Sequence, residues 1–438
     1  MSSRKGLMKN IASLGIVQIA NFVMPLISVP IISRIIGPEK FGAISYVAAF
    51  VTYFNLFIGY GFNLTAIRKI SADPDNLELR NSVFSEVFYC QILLFILSMA
   101  LFSVFVYTIP DLSADKRLAF FSIIFCISSV LTQNWLFQAM HDLSKIAVLN
   151  LSGKVLYIVA VLTIIQSKSD YYWQPLILSI TQILVALLSF LWARKKYNLQ
   201  LISISFKDCI RLLWKEKTVF FSMMLTTFYT TANIIILGFF QSDEQVGFYT
   251  AGQRLILVAQ TVITLPLAQV FYPIIGRALS DNKENGLLIV QRLVPVVIIV
   301  TGLLGFAILL IGPIAFEIFY GEEFYPGILA FQILAFVPML IAINNIMGIQ
   351  VMMNLKMDNL YFKILFCGAS ISIISNIYMS WKWGYIGSSI NWLATEALIS
   401  IVMYKVIRMK NLKVFDAKFF NINLILFDLI PSLRRKKI

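Results

Sequence analysis

Histidine is almost missing from this chain: 438 residues contain one, His141, along with four cysteines and only 13% charged residues. Cys90, Cys126, Cys209 and Cys367 lie far apart, three of them inside apolar runs, with no CxxC spacing. That excludes a disulfide framework and a thiolate metal centre, and a histidine with no second His or Cys nearby supplies no ligand set. No metal and no cofactor is therefore expected, and His141 is read as a structural or loop residue. A GxxxxGK[ST] phosphate loop is also lacking, so the sequence offers no Walker-type ATP site.

What replaces charge is apolar length. Hydrophobic residues make up 59% of the chain, against roughly 45–50% apolar and about 25% charged in soluble domains. The runs are of helical length, roughly 20 residues, and not the roughly 10-residue alternating segments of an outer-membrane barrel. Backbone groups in hydrocarbon must be satisfied within the segment, so the fold class is all-α, a polytopic membrane protein. Arg4, Lys5 and Lys9 precede a first apolar run longer than a signal-peptide core, so no cleavable leader is expected.

Twelve spans are predicted, at 10–36, 41–67, 82–109, 118–140, 146–166, 175–193, 218–240, 247–275, 293–319, 327–350, 361–380 and 384–407. Of 36 Lys and Arg, 28 fall on one side of this layout: the N-terminus, alternate connections including 194–217, and the tail. Six (Arg34, Lys40, Lys116, Arg117, Lys168, Lys382) fall on the other, and Lys154 and Arg254 lie within spans. Positive residues accumulate on the cytoplasmic side, so both termini are expected there. The net charge of +14 then reflects topology and an anionic leaflet; nucleic acid is not an expected partner, whereas the lipid bilayer is.

The turn SRIIGPEKFG (Ser33 to Gly42) has an echo in LGFFQSDEQVGFYTA (Leu237 to Ala251), where an acidic residue again precedes a Gly between two apolar runs. Aligning Gly42 with Gly247 gives an offset of 205 residues, near half the chain. Two pseudo-symmetric six-helix lobes follow: 1–205 with spans 1–6, 206–410 with spans 7–12, and a basic cytoplasmic tail, 411–438, with a short interfacial segment around Phe419 to Ile430. Substrate is expected at the interface of such repeats.

Polar groups at membrane depth are costly and mark candidate sites. Gln18, Asn21 and Pro25 share a face of span 1; Asn63 and Arg68 close span 2; Gln253 and Arg254 lie in span 8; Lys154 lies in span 5. Each has an ordinary alternative. Arg34 and Arg68 can snorkel to headgroups, and Gln18, Asn21, Gln133, Asn134 and the Thr226–Thr231 patch can be interhelical glue. Glu86 in span 3 and Glu396 in span 12 are candidates for ion coupling or for structural pairing.

Four stretches then carry a resemblance: Gln18 to Phe50, Gly61 to Ser71, Gln133 to Asn150, and Val246 to Leu255. In order and spacing they resemble the polysaccharide-transporter family of bacterial lipid-linked oligosaccharide flippases (Wzx, or O-antigen flippases), within the multidrug/oligosaccharidyl-lipid/polysaccharide (MOP) exporter superfamily. The resemblance implies two lobes around a central cavity. It also implies an undecaprenyl-diphosphate-linked O-antigen or capsular repeat unit as substrate, moved to the periplasmic leaflet at the expense of an ion gradient, and no enzymatic activity. A polysaccharide polymerase and a chain-length regulator are implied partners. Arg34, Arg68 and Arg254 lie in the resembling stretches, while Lys154 is a candidate on depth alone; all four offer donors to a diphosphate. The rivals are a multidrug or organic-cation exporter of the same superfamily, which should hold acids in its cavity, and a polysaccharide polymerase or ligase, which should carry a large periplasmic loop.

Overall fold

The computed structural model describes residues 4–420 other than His141, with side chains described from Ser28 onward except at 143–145, Thr226, Tyr229, Thr230, Leu265, Pro266 and Gln269. The side chains of Gln18, Asn21 and Pro25, His141, part of the threonine patch and the interfacial segment beyond Phe420 thus lie outside the described residues. Every described element is helical. Among the described residues eight helices are long and apolar enough to cross a membrane. Of these, Asp358–Met409 contains two predicted spans, and Ser28–Ala72 contains the end of span 1 together with span 2.

The joins are made by single glycines. Gly37 (φ 74°) breaks the helix Arg4–Gly59 and Gly384 (φ 56°) breaks Asp358–Met409, backbone regions that cost a side-chain-bearing residue energy. At Gly384 the chain reverses. Asn391 Nδ2 donates to Ser372 Oγ at 3.1 Å and the hydroxyls of Ser380 and Ser388 are 2.7 Å apart; nineteen residues of straight helix would hold the first pair about 28 Å apart. A Cβ on Gly387 would lie 2.1 Å from the Met379 carbonyl oxygen, so the two halves meet backbone to backbone, as small residues permit in membranes.

The predicted turn at Ser33–Gly42 is therefore narrower than expected: helix resumes at Pro38, whose fixed φ suits a first helical position. Span 2 ends early, at Gly59, because Tyr60 (φ 46°) and Gly61 (φ 80°) are left-handed; a short helix, Phe62–Ala72, follows. Span 4 is split into Lys116–Ile123, Cys126–Leu131 and Asn134–Ala139. Ser122, Ser128 and Thr132 donate to carbonyls three or four residues back, at 2.7, 2.7 and 2.6 Å, in competition with the helical ladder. In span 8 the α-helix Asp243–Pro266 passes into a π turn, Leu267–Phe271, ahead of Pro273 in the helix Tyr272–Asp281. Proline withholds one ladder donor, and at the start of the π turn the Leu267 carbonyl accepts from Gln350 Nε2 at 2.8 Å.

The chain divides into two compact units, Met1–Val246 and Gly247–Ile438. The first includes the helix Phe206–Phe240, which carries predicted span 7. Its close packing is local: Tyr46 lies so near Gly238 that a Cβ there would sit 2.3 Å from the ring. In the second unit an apolar cluster around Val290, Met347, Val351 and Met403 joins the helices Lys283–Phe319 and Asp358–Met409 to the π segment Ile346–Met353.

Candidate functional site

In the first unit the predicted basic residues Arg34, Arg68 and Lys154 occupy separate helices. Arg34 is exposed one turn before Gly37, beside the buried Ser33, whose hydroxyl donates to the Pro30 carbonyl at 3.2 Å. Asn63 and Arg68 are exposed on Phe62–Ala72. Lys154 is half-buried on Leu143–Ile164, where neighbouring Gly153 lets Val185 of Trp173–Lys196 approach to within 2.3 Å of a hypothetical Cβ. That close helix pair fixes the height of Lys154 along its span.

Glu86 is paired. Lys69 Nζ lies 3.5 Å from Glu86 Oε2 and 3.6 Å from Glu216 Oε1, and Ser82 Oγ donates to Glu86 Oε1 at 3.4 Å. Glu216 is 5% exposed, and a carboxylate so buried requires a countercharge. Lys69 thus ties the helix Phe62–Ala72 to Leu77–Thr108 and to Phe206–Phe240 at once. Two carboxylates on one ammonium leave this node with a net negative charge, unsuited to a diphosphate; Arg68, one residue earlier, is exposed. Lys69 and Glu216 were not singled out by sequence reasoning, since 147 residues separate them and neither lies deep in an apolar run.

The second unit holds Gln253, 5% exposed, and the half-buried Arg254 on Asp243–Pro266. The preceding turn is fixed by Tyr320, whose hydroxyl donates to the Ala251 carbonyl at 3.0 Å, and by Gly252, whose missing Cβ admits the Phe331 backbone to 3.0 Å. Arg254 acts electrostatically on Tyr320.

Glu396 is the most enclosed acid of the predicted set, 2% exposed. Asn344 Nδ2 donates to its Oε2 at 2.8 Å and to its carbonyl at 3.2 Å, and Ser400 Oγ donates to Asn344 Oδ1 at 2.7 Å. Its other oxygen, Oε1, is buried, and the Trp392 side chain lies close enough to act on the carboxyl as a hydrogen-bond donor. Neutral amide and hydroxyl groups, not a cation, make up this node, so it differs in kind from the one at Lys69. Asn344 and Ser400 escaped the sequence reading; an intramembrane Asn was the available signal.

No group of three Asp, Glu, His or Cys side chains among the described residues is placed to hold a metal ion.

The polysaccharide biosynthesis protein family model matches residues 7–279, more than half the chain. The chain is 24% identical over 413 residues to a protein of Escherichia coli (strain K12) named "Putative O-antigen transporter", spanning 94% of this chain and 99% of that one. A Shigella dysenteriae protein of the same name is 25% identical over 402 residues, spanning 91% and 100%. Among solved structures, the lipid II flippase MurJ in an inward closed conformation superposes with a TM-score of 0.72 at 12% identity, over 96% of this chain and 93% of that one. An inward-facing multidrug resistance MATE family transporter of the MOP superfamily gives 0.69 at 15% identity, over 92% and 98%. The fold is thus that of MurJ and MATE, expected from the sequence and found in the structure, and the chain belongs to the polysaccharide biosynthesis protein family.

Proposed function

We propose that this protein is a flippase that carries an undecaprenyl-diphosphate-linked O-antigen or capsular repeat unit from the cytoplasmic to the periplasmic leaflet of a bacterial inner membrane. The observation that carries the reading is end-to-end similarity to proteins named as O-antigen transporters, in a chain that keeps Lys and Arg within or beside its spans. A lipid diphosphate brings at least two negative charges to membrane depth; Arg68, Arg34, Lys154 and Arg254 offset the cost of desolvating them and donate to the phosphate oxygens. Gln18, Asn21, Asn63 and Gln253 offer hydrogen bonds to sugars. The polyprenyl tail stays in lipid.

Transport proceeds by alternating access between two lobes, 1–205 and 206–410, with both termini cytoplasmic. An ion gradient drives it, and of the two glutamates Glu396 is the better coupling group. Glu86 already has a cationic partner, whereas an ionised Glu396 would be desolvated with only neutral neighbours, so taking up and losing a proton changes the stability of its surroundings. A polysaccharide polymerase and a chain-length regulator are the partners that would receive the product.

Deleting the gene and locating lipid-linked repeat units tests the function. Single units should accumulate on the cytoplasmic leaflet. Accumulation on the periplasmic leaflet would mean a polymerase or ligase, and unchanged units with raised sensitivity to cationic drugs would mean an exporter.

A further inference from the structure

The helix Asp358–Met409 stops in a tight reversal. Asn411 is left-handed (φ 56°), its amide donates to the Arg408 carbonyl at 2.9 Å, and the Leu412 amide donates to the Ile407 carbonyl at 3.2 Å, the pairing that satisfies the last carbonyls of a helix. The chain then runs extended along the apolar cluster of the second unit. Leu412 and Val414 are buried in that cluster and Lys413 between them is exposed, the alternation of an extended segment with one buried face. Gln291 Nε2 of Lys283–Phe319 donates to the Lys413 carbonyl at 2.7 Å, and the Phe415 ring meets the Tyr404 ring edge-on with centroids 5.3 Å apart. The segment 410–417 is therefore held as a strap against two helices.

Between this strap and the last turns of the helix lies a cavity of about 440 Å³, whose polar lining is Tyr404, Arg408, Asn411, Lys413 and Asp416. The Arg408 guanidinium sits over the Tyr404 ring, 5.8 Å from its centroid, so the ring restrains a side chain that would otherwise sweep through solvent. Asp416 is already engaged: Lys418 Nζ lies 3.3 Å from its Oδ2, and the Lys418 amide donates to its Oδ1 at 3.2 Å. With that carboxylate offset by Lys418, Arg408 and Lys413 leave the lining with a net positive charge.

We propose that this cavity is an anion-binding site for a phosphate ester. Arg408 offers a planar fork of donors that matches two phosphate oxygens, and Lys413 adds a compact charge. The volume falls within the range of roughly 300 to 1,000 Å³ usual for small-molecule sites and exceeds what a bare phosphate fills, so the group esterified to it is accommodated as well. Two sources carry this chemistry: the phosphodiester headgroup of an anionic phospholipid, and a soluble phosphate monoester. The position, at the end of an apolar helix of spanning length, suits the first. The site uses none of the residues assigned above to the transported diphosphate, and it stands or falls independently of the flippase reading.

The test is a calorimetric titration of the purified full-length protein in a non-ionic detergent with dioctanoyl phosphatidylglycerol and, separately, with glycerol 3-phosphate. Wild type should bind a single equivalent of at least one probe. Arg408 and Lys413 are exposed, so their variants should fold, and Arg408→Gln/Lys413→Gln should weaken binding by at least about tenfold through the loss of charge-assisted hydrogen bonds. Arg408→Lys, which keeps the charge and loses the fork, should weaken it by a smaller factor. Arg277→Gln, at an exposed cation elsewhere on the second unit, should bind as wild type does. Tighter binding of the lipid identifies a headgroup site; equal or tighter binding of glycerol 3-phosphate identifies a soluble ester. The absence of saturable binding of either probe to wild type would overturn the proposal. So would wild-type affinity in Arg408→Gln/Lys413→Gln, or an equal loss in Arg277→Gln, which would reduce the cavity to general surface charge.

Discussion

Replacing Lys69 with methionine should expose the electrostatic tie between three helices of the first unit. Lys69 Nζ is 3.5 Å from Glu86 and 3.6 Å from Glu216. At an effective dielectric of about 20, each contact is worth roughly 4 to 5 kcal/mol of Coulomb energy before desolvation. Lys69 and Glu86 have side chains 28% and 31% exposed, whereas Glu216 has 6%. The Lys69–Glu86 pair is therefore screened to about 0.5 kcal/mol, and the Lys69–Glu216 pair keeps a net coupling of about 1 to 2 kcal/mol. Lys69→Met strands a buried carboxylate and should cost about 2 to 3 kcal/mol, toward the low end of breaking a buried pair because Lys69 is partly solvated. Glu216→Gln leaves Lys69 with Glu86 and should cost about 1 kcal/mol. Thermal unfolding in detergent reads this as a midpoint drop of roughly 2 to 3 °C for Lys69→Met in a chain of this length. The double variant should be less destabilised than the sum of the two by the coupling energy. Strict additivity would refute the argument, because it would mean the carboxylate is not held by this ammonium.

Three further outcomes follow from particular contacts. Gly387→Ala must push apart two backbones, since the clash is with the Met379 carbonyl, and should cost about 1 to 3 kcal/mol; Gly59→Ala, with nothing within 4 Å of the added carbon, should be neutral or slightly stabilising, both read as midpoint shifts. Asp243→Asn should stabilise the protein at neutral pH and lose the benefit as pH falls. Burial raises the Asp243 carboxyl and makes the folded state the better proton binder, so wild-type stability declines as pH rises from the ordinary aspartate range through the folded value; unfolding midpoints across pH check the crossing of the two curves. Glu396→Gln should fold normally, since the amide oxygen can still accept from Asn344, yet abolish the dependence of flipping on the ion gradient; retention of that dependence in the Glu86→Gln/Glu396→Gln double variant would exclude both as coupling groups.

Much of the fold was legible because lipid leaves the backbone few choices. Apolar runs of spanning length dictate helices wherever they occur, and Gly37 and Gly384 were visible as breaks in such runs. Where helices break inside a span was less legible. The splitting at Ser122, Ser128 and Thr132 involves side chains bonding their own backbone, and at the π turn the Leu267 carbonyl accepts from Gln350, 83 residues away. A single polar residue at depth has a cost set by its partners: Glu86 has Lys69, Glu396 has Asn344, and no spacing rule links either pair.

By itself, then, the sequence determined that this is an all-helical membrane protein of its family, because hydropathy and the distribution of Lys and Arg are properties of the linear chain. Only the tertiary structure decided that Glu86 and Glu216 share one lysine and that Glu396 sits among neutral groups. Electrostatic energy depends on distances of a few ångströms and on local burial, and folding brings those groups together from connections that are remote along the chain.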